Sequence, residues 1–344
     1  GSGMCPLAEI LFSEGFIITG SDCNESDTLD RIKAMGIKVF DGHFAENVKD
    51  TELVVYTAAV KSDNPELVSA KELNIPCLER SVMLGIVTRR YNRSVAVAGT
   101  HGKTSTTAMI SQILIGSGFD PSAIIGGKLN AIGGNSYVGQ SDIIVCEACE
   151  YVDTFLQLTP YLSVVLNIDA DHLDYFKNLD NIKNSFNKFA KQTTHAVIYC
   201  GDDENSVDTF RDLSLEKITF GVGEECDYRA VNIVSNGMKQ SFDLYYKNQF
   251  VVTVNLIVPG KHNIMNALAA PWDAAIIVTY SEKRAREIYE EYSFYDKEVM
   301  LYPAKDLIFY QADINGKQLA MDRMRVVKRV LSGEQVTVVT TLDA

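Results

Sequence analysis

Val95-Ala96-Val97-Ala98-Gly99-Thr100-His101-Gly102-Lys103-Thr104-Ser105-Thr106-Thr107 decides the reading of this chain. An apolar run of strand type enters a turn that contains glycine, and Lys103 and Thr104 open a helical pattern behind it. That order suits a phosphate site. Glycines let backbone N–H groups come close, a helix N-terminus favours negative charge, a lysine pairs with outer phosphates, and a hydroxyl can reach Mg²⁺. The common form of the motif has a glycine where this chain has Val97; the glycine here is Gly99, which gives the shorter Gly-Thr-His-Gly-Lys-Thr. The plain alternative is a glycine turn beside an exposed lysine.

Working outward, the chain alternates strand and helix patterns, which implies a parallel sheet with helices on its faces. Leu7, Ala8, Leu11 and Phe12 recur at helical spacing up to Gly15. Phe16 to Thr19 reads as a strand, Asp27 to Met35 as a helix stopped by Gly36, Leu53 to Thr57 as a strand, and Pro65 to Leu73 as a helix. A second α/β unit starts near Ser94. It has strands expected at 94–98, 143–147, 163–167 and 195–200, and helices at 103–115 and 181–191. From Lys217 to Val258 the pattern turns to short β segments, including 228–234 and 251–258. Gly260-Lys261-His262-Asn263 then leads a helix through Asn266 and Ala270. The character changes at Pro271-Trp272: strands are expected at 274–279, 299–302 and 336–340, and helices at 282–292 and 323–331.

The expected architecture is α/β with three parts. Residues 1–92 form a Rossmann-like domain, 93–270 a phosphate-loop domain, and 271–344 a short fragment. The first part lacks an opening strand. A glycine turn that leads into a helix normally follows a strand, and in a doubly wound sheet that strand is central. Its two neighbours are then left without a shared partner, so weak stability is expected over the first 90 or so residues. Gly1-Ser2-Gly3 reads equally as an artificial leader before Met4.

Composition is ordinary for a globular chain: 46% apolar and 22% charged over 344 residues. The net charge of −13 argues against a general nucleic-acid or membrane-surface binder, while leaving room for nucleotides in a local positive pocket. No apolar run reaches the ~20 residues of a membrane span. No secretory leader is evident. The 7 scattered cysteines suit a reducing, cytoplasmic setting. Cys146 and Cys149 make a lone C-x-x-C. Strand residues three apart face opposite sides, so joint metal ligation is not expected.

Other residues could carry chemistry. Glu147 ends a strand and is followed by Glu150 and Asp153; carboxylates there can hold Mg²⁺, or can be solvated. His172, among Asp169, Asp171 and Asp174, suits either a metal ligand or general base, or a loop histidine satisfied by a carboxylate. Asn263 and Asn266 lie on one helix face, where amides can read a base edge; capping by Asn263 is the plain alternative. His43 and His195 have no sequence partners and read as structural or exposed. Asp22 ends a strand where an acidic residue meets ribose in dinucleotide folds.

Several runs together resemble the Mur ligases, ATP-dependent enzymes that add amino acids to the peptidoglycan precursor. They are Gly3-Met4-Cys5-Pro6-Leu7-Ala8-Glu9, Thr19-Gly20-Ser21-Asp22, Gly99 to Thr104, Glu147 to Asp153, Asp171-His172-Leu173-Asp174, and Gly260-Lys261-His262-Asn263 with Asn266 to Ala270. The resemblance covers about residues 1 to 270. The histidine before Gly102 places the chain beside the alanine-adding branch, with the tripeptide-recycling branch as the alternative.

The resemblance implies ATP and Mg²⁺ as cofactors, and UDP-N-acetylmuramate and L-alanine as small-molecule substrates, with no nucleic-acid or membrane partner. Gly99, Thr100, His101, Gly102, Lys103, Thr104 and Ser105 would hold phosphates, while His262, Asn263 and Asn266 would lie at the adenine end. Thr104, Glu147 and His172 would bind metal, and Lys103, Glu147 and His172 would be catalytic. Gly1, Ser2, Gly3, Met4, Ser21, Asp22 and the Thr57-Ala58-Ala59-Val60 loop would face the UDP sugar. The implied reaction passes phosphate from ATP to a carboxylate, and the amine of alanine then attacks the acyl phosphate.

After Ala270 the resemblance stops, and the family's third domain, which binds the amino acid, has no counterpart. Residues 274–344 resemble instead the N-terminal part of the bacterial transcription-repair coupling factor, through Tyr280 to Tyr289 and Tyr302-Pro303-Ala304-Lys305-Asp306-Leu307. The chain reads as a join of two reading frames or an incomplete gene product, for which a catalytically dead nucleotide-binding fragment is the alternative function.

Overall fold

The computed structural model describes residues 3–116, 118–237 and 239–270, together with the backbone of 276–279, 299–301 and 337–341. Gly1 and Ser2, expected at the sugar site, and the helices expected at 282–292 and 323–331 lie outside the described residues. The chain divides into two compact units, residues 1–108 with 121–218, and 109–120 with 219–344.

The first unit opens with α1 (Cys5–Ser13), β1 (Thr19–Asp22), α2 (Asp27–Ala34), β2 (Lys38–Asp41), β3 (Val54–Tyr56), α3 (Pro65–Glu72), β4 (Cys77–Glu79) and α4 (Arg80–Thr88). Local chemistry sets these boundaries. The Ser26 hydroxyl caps α2 by accepting from the Leu29 N–H, and the Asn64 side chain caps α3 ahead of Pro65. The strand expected over 16–19 begins only at Thr19; Ile17 is 97% exposed and faces no partner element. β1 pairs in parallel with β2, and β3 with β4. β1 and β3, expected to lack a shared neighbour, each pair only within their own ribbon among the described residues.

The chain continues with β5 (Arg93–Ala98), α5 (Lys103–Gly116), β6 (Ser122–Leu129), β7 (Gly134–Tyr137), β8 (Ile143–Glu147), β9 (Leu162–Val165), α6 (Leu173–Phe176), α7 (Leu179–Lys191), β10 (Ala196–Cys200) and α8 (Glu204–Phe210). The strand order is β10-β9-β5-β8-β6-β7, parallel except for β7, which runs antiparallel to β6. From Ser94 to Ala98, β5 is buried at every position, as expected for a strand covered on both faces. Its core joins Ala96, Ile144 and Val165 to Phe155, Phe186 and Phe189. Leu7 and Ile10 of α1 and Met83 and Val87 of α4 pack into the same cluster. The N-terminal helices are therefore anchored on the central sheet's core, although their own strands form only two short ribbons.

β11 (Glu216–Gly221) follows, and the second unit then holds β12 (Tyr228–Asn236), β13 (Lys239–Tyr246), β14 (Gln249–Leu256) and α9 (Lys261–Leu268). β12, β13 and β14 form an antiparallel meander. Three later strands, β15 (Ile276–Thr279), β16 (Val299–Leu301) and β17 (Thr337–Thr341), form a parallel sheet with β17 in the middle, close to the three expected positions.

Candidate nucleotide-phosphate site

β5 lies between β8 and β9, parallel to both, with Val97 level with Glu147 on one side and Val164 on the other. The loop that follows β5 therefore emerges at the carboxyl edge of the sheet, where ligands bind in open α/β folds. Glycine is needed at position 99 for two reasons. Its φ is +134°, and a Cβ there would stand 3.0 Å from Leu166 Cβ and 3.1 Å from the Leu166 nitrogen. Gly102 has φ +88°.

The segment after β9 braces the loop from behind. The Thr100 N–H donates to the Asn167 carbonyl (3.0 Å), and the Asp169 N–H donates to the Thr100 hydroxyl oxygen (2.9 Å). The Asn167 side chain both accepts from the His101 N–H (2.8 Å) and donates to the His101 carbonyl (3.1 Å). Asn167 was not singled out from sequence, since an asparagine after a strand carries no signal of its own.

Lys103 starts α5, and its ammonium donates to Gly99 O (2.6 Å), Thr100 O (3.2 Å) and Glu150 Oε1 (3.0 Å). The Glu150 side chain is only 3% exposed, and its other oxygen, Oε2, is buried with no hydrogen-bond partner among the described residues. His172 Nε2 stands 3.9 Å from Glu150 Oε1, and its ring packs on Tyr151 at a 4.7 Å centroid separation. His172 has φ +50°, and its own N–H donates to Asp171 Oδ1 (2.7 Å). Lys103, Glu150 and His172 thus form one cluster.

Glu147 ends β8, and its Oε1 accepts from the Gly126 N–H (2.8 Å). A Cβ on Gly126 would lie 2.4 Å from Glu147 Oε2, and a Cβ on Gly127 would lie 3.0 Å from Thr104 Cγ2. Two consecutive glycines of β6 thus leave room for two of the three side chains expected at a metal, Glu147 and Thr104. Thr104 and Ser105 are exposed at the helix start, ahead of N–H groups that lack intrahelical partners by helix geometry. A bare glycine floor, a half-buried carboxylate, a hydroxyl at a helix N-terminus and an orphaned buried carboxylate oxygen fit a polyphosphate with a divalent cation. Gly126 and Gly127 escaped the sequence reading because a Gly-Gly pair within a β segment identifies no partner until the strands are aligned.

The remaining expected residues divide clearly. Asp153 is turned away: Tyr175 donates its phenol proton to it (2.8 Å), and so does the Ser185 hydroxyl. Cys146 is buried and Cys149 exposed, but Cys149 lies past the end of β8 at Glu147, so the alternation of strand faces does not apply to the pair; burial pushes the Cys146 thiol up to about 12. No group of three or more metal-ligating side chains stands together among the described residues. Gly3 and Met4 lie at the start of α1, with the Arg80 side chain against Gly3, where a Cβ would be 3.5 Å from Arg80 Cδ. Thr57 to Val60 form the turn after β3, closed by the Val60 N–H donating to Thr57 O (3.0 Å).

Ser21 and Asp22 end β1. The Ser21 hydroxyl donates to Glu66 Oε2 (2.7 Å) and lies 3.0 Å from His43 Nδ1, which is itself 3.0 Å from the same Glu66 oxygen. His43, without a partner in sequence, therefore gains two in the fold. His195 stacks on Tyr161 at 4.6 Å. In the second unit, Asn266 Nδ2 lies 3.5 Å from Asn263 Oδ1, so the two amides do share a face. Asn263 does not cap the helix; its Nδ2 donates to Pro259 O (2.7 Å), and the cap position is Gly260 at φ +102°. His262 sits against Gly260, where a Cβ would meet its ring at 2.5 Å.

Comparison with known proteins fits this geometry. The Mur ligase middle-domain model matches residues 97–272, more than half of the chain, and the Mur ligase family catalytic-domain model matches residues 1–92. The chain belongs to the Mur ligase family. Among curated relatives, the UDP-N-acetylmuramate–L-alanine ligase of Caldanaerobacter subterraneus is 45% identical over 299 residues, covering 85% of this chain and 64% of that protein. The ligase of the same name from Acetivibrio thermocellus is 48% identical over 275 residues, covering 78% of this chain and 58% of that protein. The chain therefore spans about three-fifths of the length of the relatives it matches. Among solved structures, the UDP-N-acetylmuramate:L-alanyl-gamma-D-glutamyl-meso-diaminopimelate ligase of Neisseria meningitides superposes with a TM-score of 0.70 at 26% identity, covering 78% of this chain and 89% of that one.

Proposed function

We propose that this chain carries the nucleotide- and sugar-binding parts of an ATP-dependent ligase of peptidoglycan precursor synthesis, of the kind that joins L-alanine to UDP-N-acetylmuramate through an acyl phosphate. The observation that carries this reading is the Gly99–Thr104 loop at the mouth of β5, with Glu147 level with Val97 beside it. The 45–48% identity to alanine-adding ligases gives it a substrate.

In this reading the N–H groups of 99–105 and the Lys103 ammonium bind the triphosphate of ATP, and Thr104, Glu147 and His172 hold Mg²⁺. The metal, when bound, neutralises charge on the transferring phosphoryl group. The residues of this chain fix the phosphates against a rigid floor, which is the positioning part of phosphoryl transfer. His262, Asn263 and Asn266 serve the adenine end. Gly3, Met4, Ser21, Asp22 and the turn at 57–60 serve the UDP sugar, with Gly1 and Ser2 ahead of them. The protein then works in the cytoplasm, where its substrates are made; no helix among the described residues is long and apolar enough to cross a membrane. The stretch at 274–344 that resembles the transcription-repair coupling factor is given no part in ligation in this reading.

Well-placed reactants contribute ~7–11 kcal/mol to such a step. Because residues 1–344 span about three-fifths of the relatives they match, these residues alone should bind ATP and UDP-N-acetylmuramate and turn over near background. The test is phosphate release from ATP with UDP-N-acetylmuramate, with and without L-alanine. Nucleotide binding with no alanine-dependent release supports the reading; strong alanine-dependent release shows that the chain is a working ligase, and no nucleotide binding overturns the site.

A further inference from the structure

Every proton of the Lys103 ammonium is already in use. Two go to carbonyl oxygens of its own loop and one to Glu150, and an ammonium has only three. To reach a phosphate oxygen it must give one up. The loop carbonyls belong to the floor that the phosphate rests on. Glu150 is the partner that an incoming anionic oxygen can replace charge for charge.

That exchange has a consequence. Glu150 is 3% exposed and already has one buried oxygen without a partner. Were Lys103 to leave, both oxygens would be orphaned, and an unpaired buried carboxylate is strongly unfavourable. Some cation must take the place of the lysine. His172 Nε2 stands 3.9 Å from Oε1, the oxygen that Lys103 would vacate. His172 is the residue proposed above for the metal.

We propose that Glu150 is a positioning residue that couples the two ligands: it holds Lys103 until the phosphates arrive, and its charge is then satisfied from the His172 side by the divalent cation. Nucleotide and metal binding become mutually dependent through one carboxylate, and the dependence is reciprocal, as linkage requires. This inference rests on the nucleotide reading of the Gly99–Thr104 loop. It assigns to Glu150 a role that neither a solvated loop carboxylate nor a metal ligand alone would have. A plain ligand would lower metal-bound affinity when removed. A coupling residue also raises metal-free affinity.

The experiment is calorimetry of the full chain with adenylyl imidodiphosphate, in MgCl₂ and in EDTA, for the native protein and Glu150→Gln. The native protein should bind at least about tenfold more tightly with Mg²⁺. In Glu150→Gln the lysine is held by a neutral oxygen, about half as strongly as by a carboxylate. Metal-free affinity should therefore rise about tenfold, and the Mg²⁺ dependence should shrink to about threefold or less. Unchanged or weaker metal-free binding by Glu150→Gln overturns the proposal and leaves the nucleotide reading standing. Absence of binding by the native protein in MgCl₂ overturns both. If Glu150→Gln does not fold, the decision passes to Lys103→Met and Lys103→Met/Glu150→Gln. The proposal requires the double variant to melt above the single one, and an equal or lower midpoint overturns it.

Discussion

Gly126→Ala gives the sharpest separation of site chemistry from stability. A Cβ at 126 would lie 2.4 Å from Glu147 Oε2, 2.7 Å from Oε1 and 2.8 Å from Cδ. These atoms are the far end of a flexible side chain, so the carboxylate can swing aside while both strands stay in place. What is lost is the hydrogen bond from the Gly126 N–H to Glu147 Oε1, 2.8 Å long and charge-assisted. Such a bond is worth about 1.5–3 kcal/mol. Alanine returns about 0.4–1 kcal/mol by restricting the unfolded chain. The net cost is then about 1–2 kcal/mol, a fall in Tm of about 2–8 °C at the usual 2–4 °C per kcal/mol. Function should suffer far more. A displaced metal-site carboxylate typically weakens metal affinity about 10–100-fold. The assay is a Mg²⁺ titration at fixed ATP analogue, with thermal melts alongside and Gly116→Ala, which meets no atom within 4 Å, as the control. Native Mg²⁺ affinity in a folded Gly126→Ala protein would refute the placement of Glu147 at the metal.

Three further outcomes follow from the same geometry. Lys103→Ala should abolish measurable nucleotide binding and also lower stability by about 3 kcal/mol, because Glu150, 3% exposed, is left without its counter-ion; an unchanged urea midpoint would contradict the buried pair. Iodoacetamide at pH 8 should label the exposed Cys23 and Cys149 and leave Cys146 and Cys200 untouched, as read by peptide mass spectrometry, because burial pushes those two thiols up to about 12 and about 11. The sign for stability follows. The unfolded thiols ionise near ~8.5 and the folded ones far higher, so the unfolded state sheds protons first and stability falls as pH climbs above about 9. In hydrogen exchange, amides of the β1–β2 and β3–β4 ribbons should exchange much faster than those of α1, α4 and β5, since two-stranded ribbons are marginal while the helices share the main core; uniformly slow exchange over residues 16–79 would count against it.

The sequence by itself determined the elements whose signal is local. An apolar run ending in Gly99, a lysine opening a helix, and a strand that stops at Glu147 need no partner to be recognised, because strand burial, glycine φ and helix termini act over a few residues. The Mur ligase family was legible for the same reason. It did not show that β2, β4, β6 and β7 exist: β2 and β4 are too short to show a period, and glycines interrupt the pattern of β6 and β7.

Only the tertiary structure decided which partner each carboxylate meets. Glu147, Glu150 and Asp153 look alike as a run of acids. Strand register puts the first against Gly126, the buried turn after β8 aims the second at Lys103, and the third bonds Tyr175 and Ser185. His43 gained Ser21 and Glu66 in the same way, across gaps of 22 and 23 residues. Pairings of that kind arise from strand order and helix packing, and no local propensity encodes a contact between segments that meet only once the chain has folded.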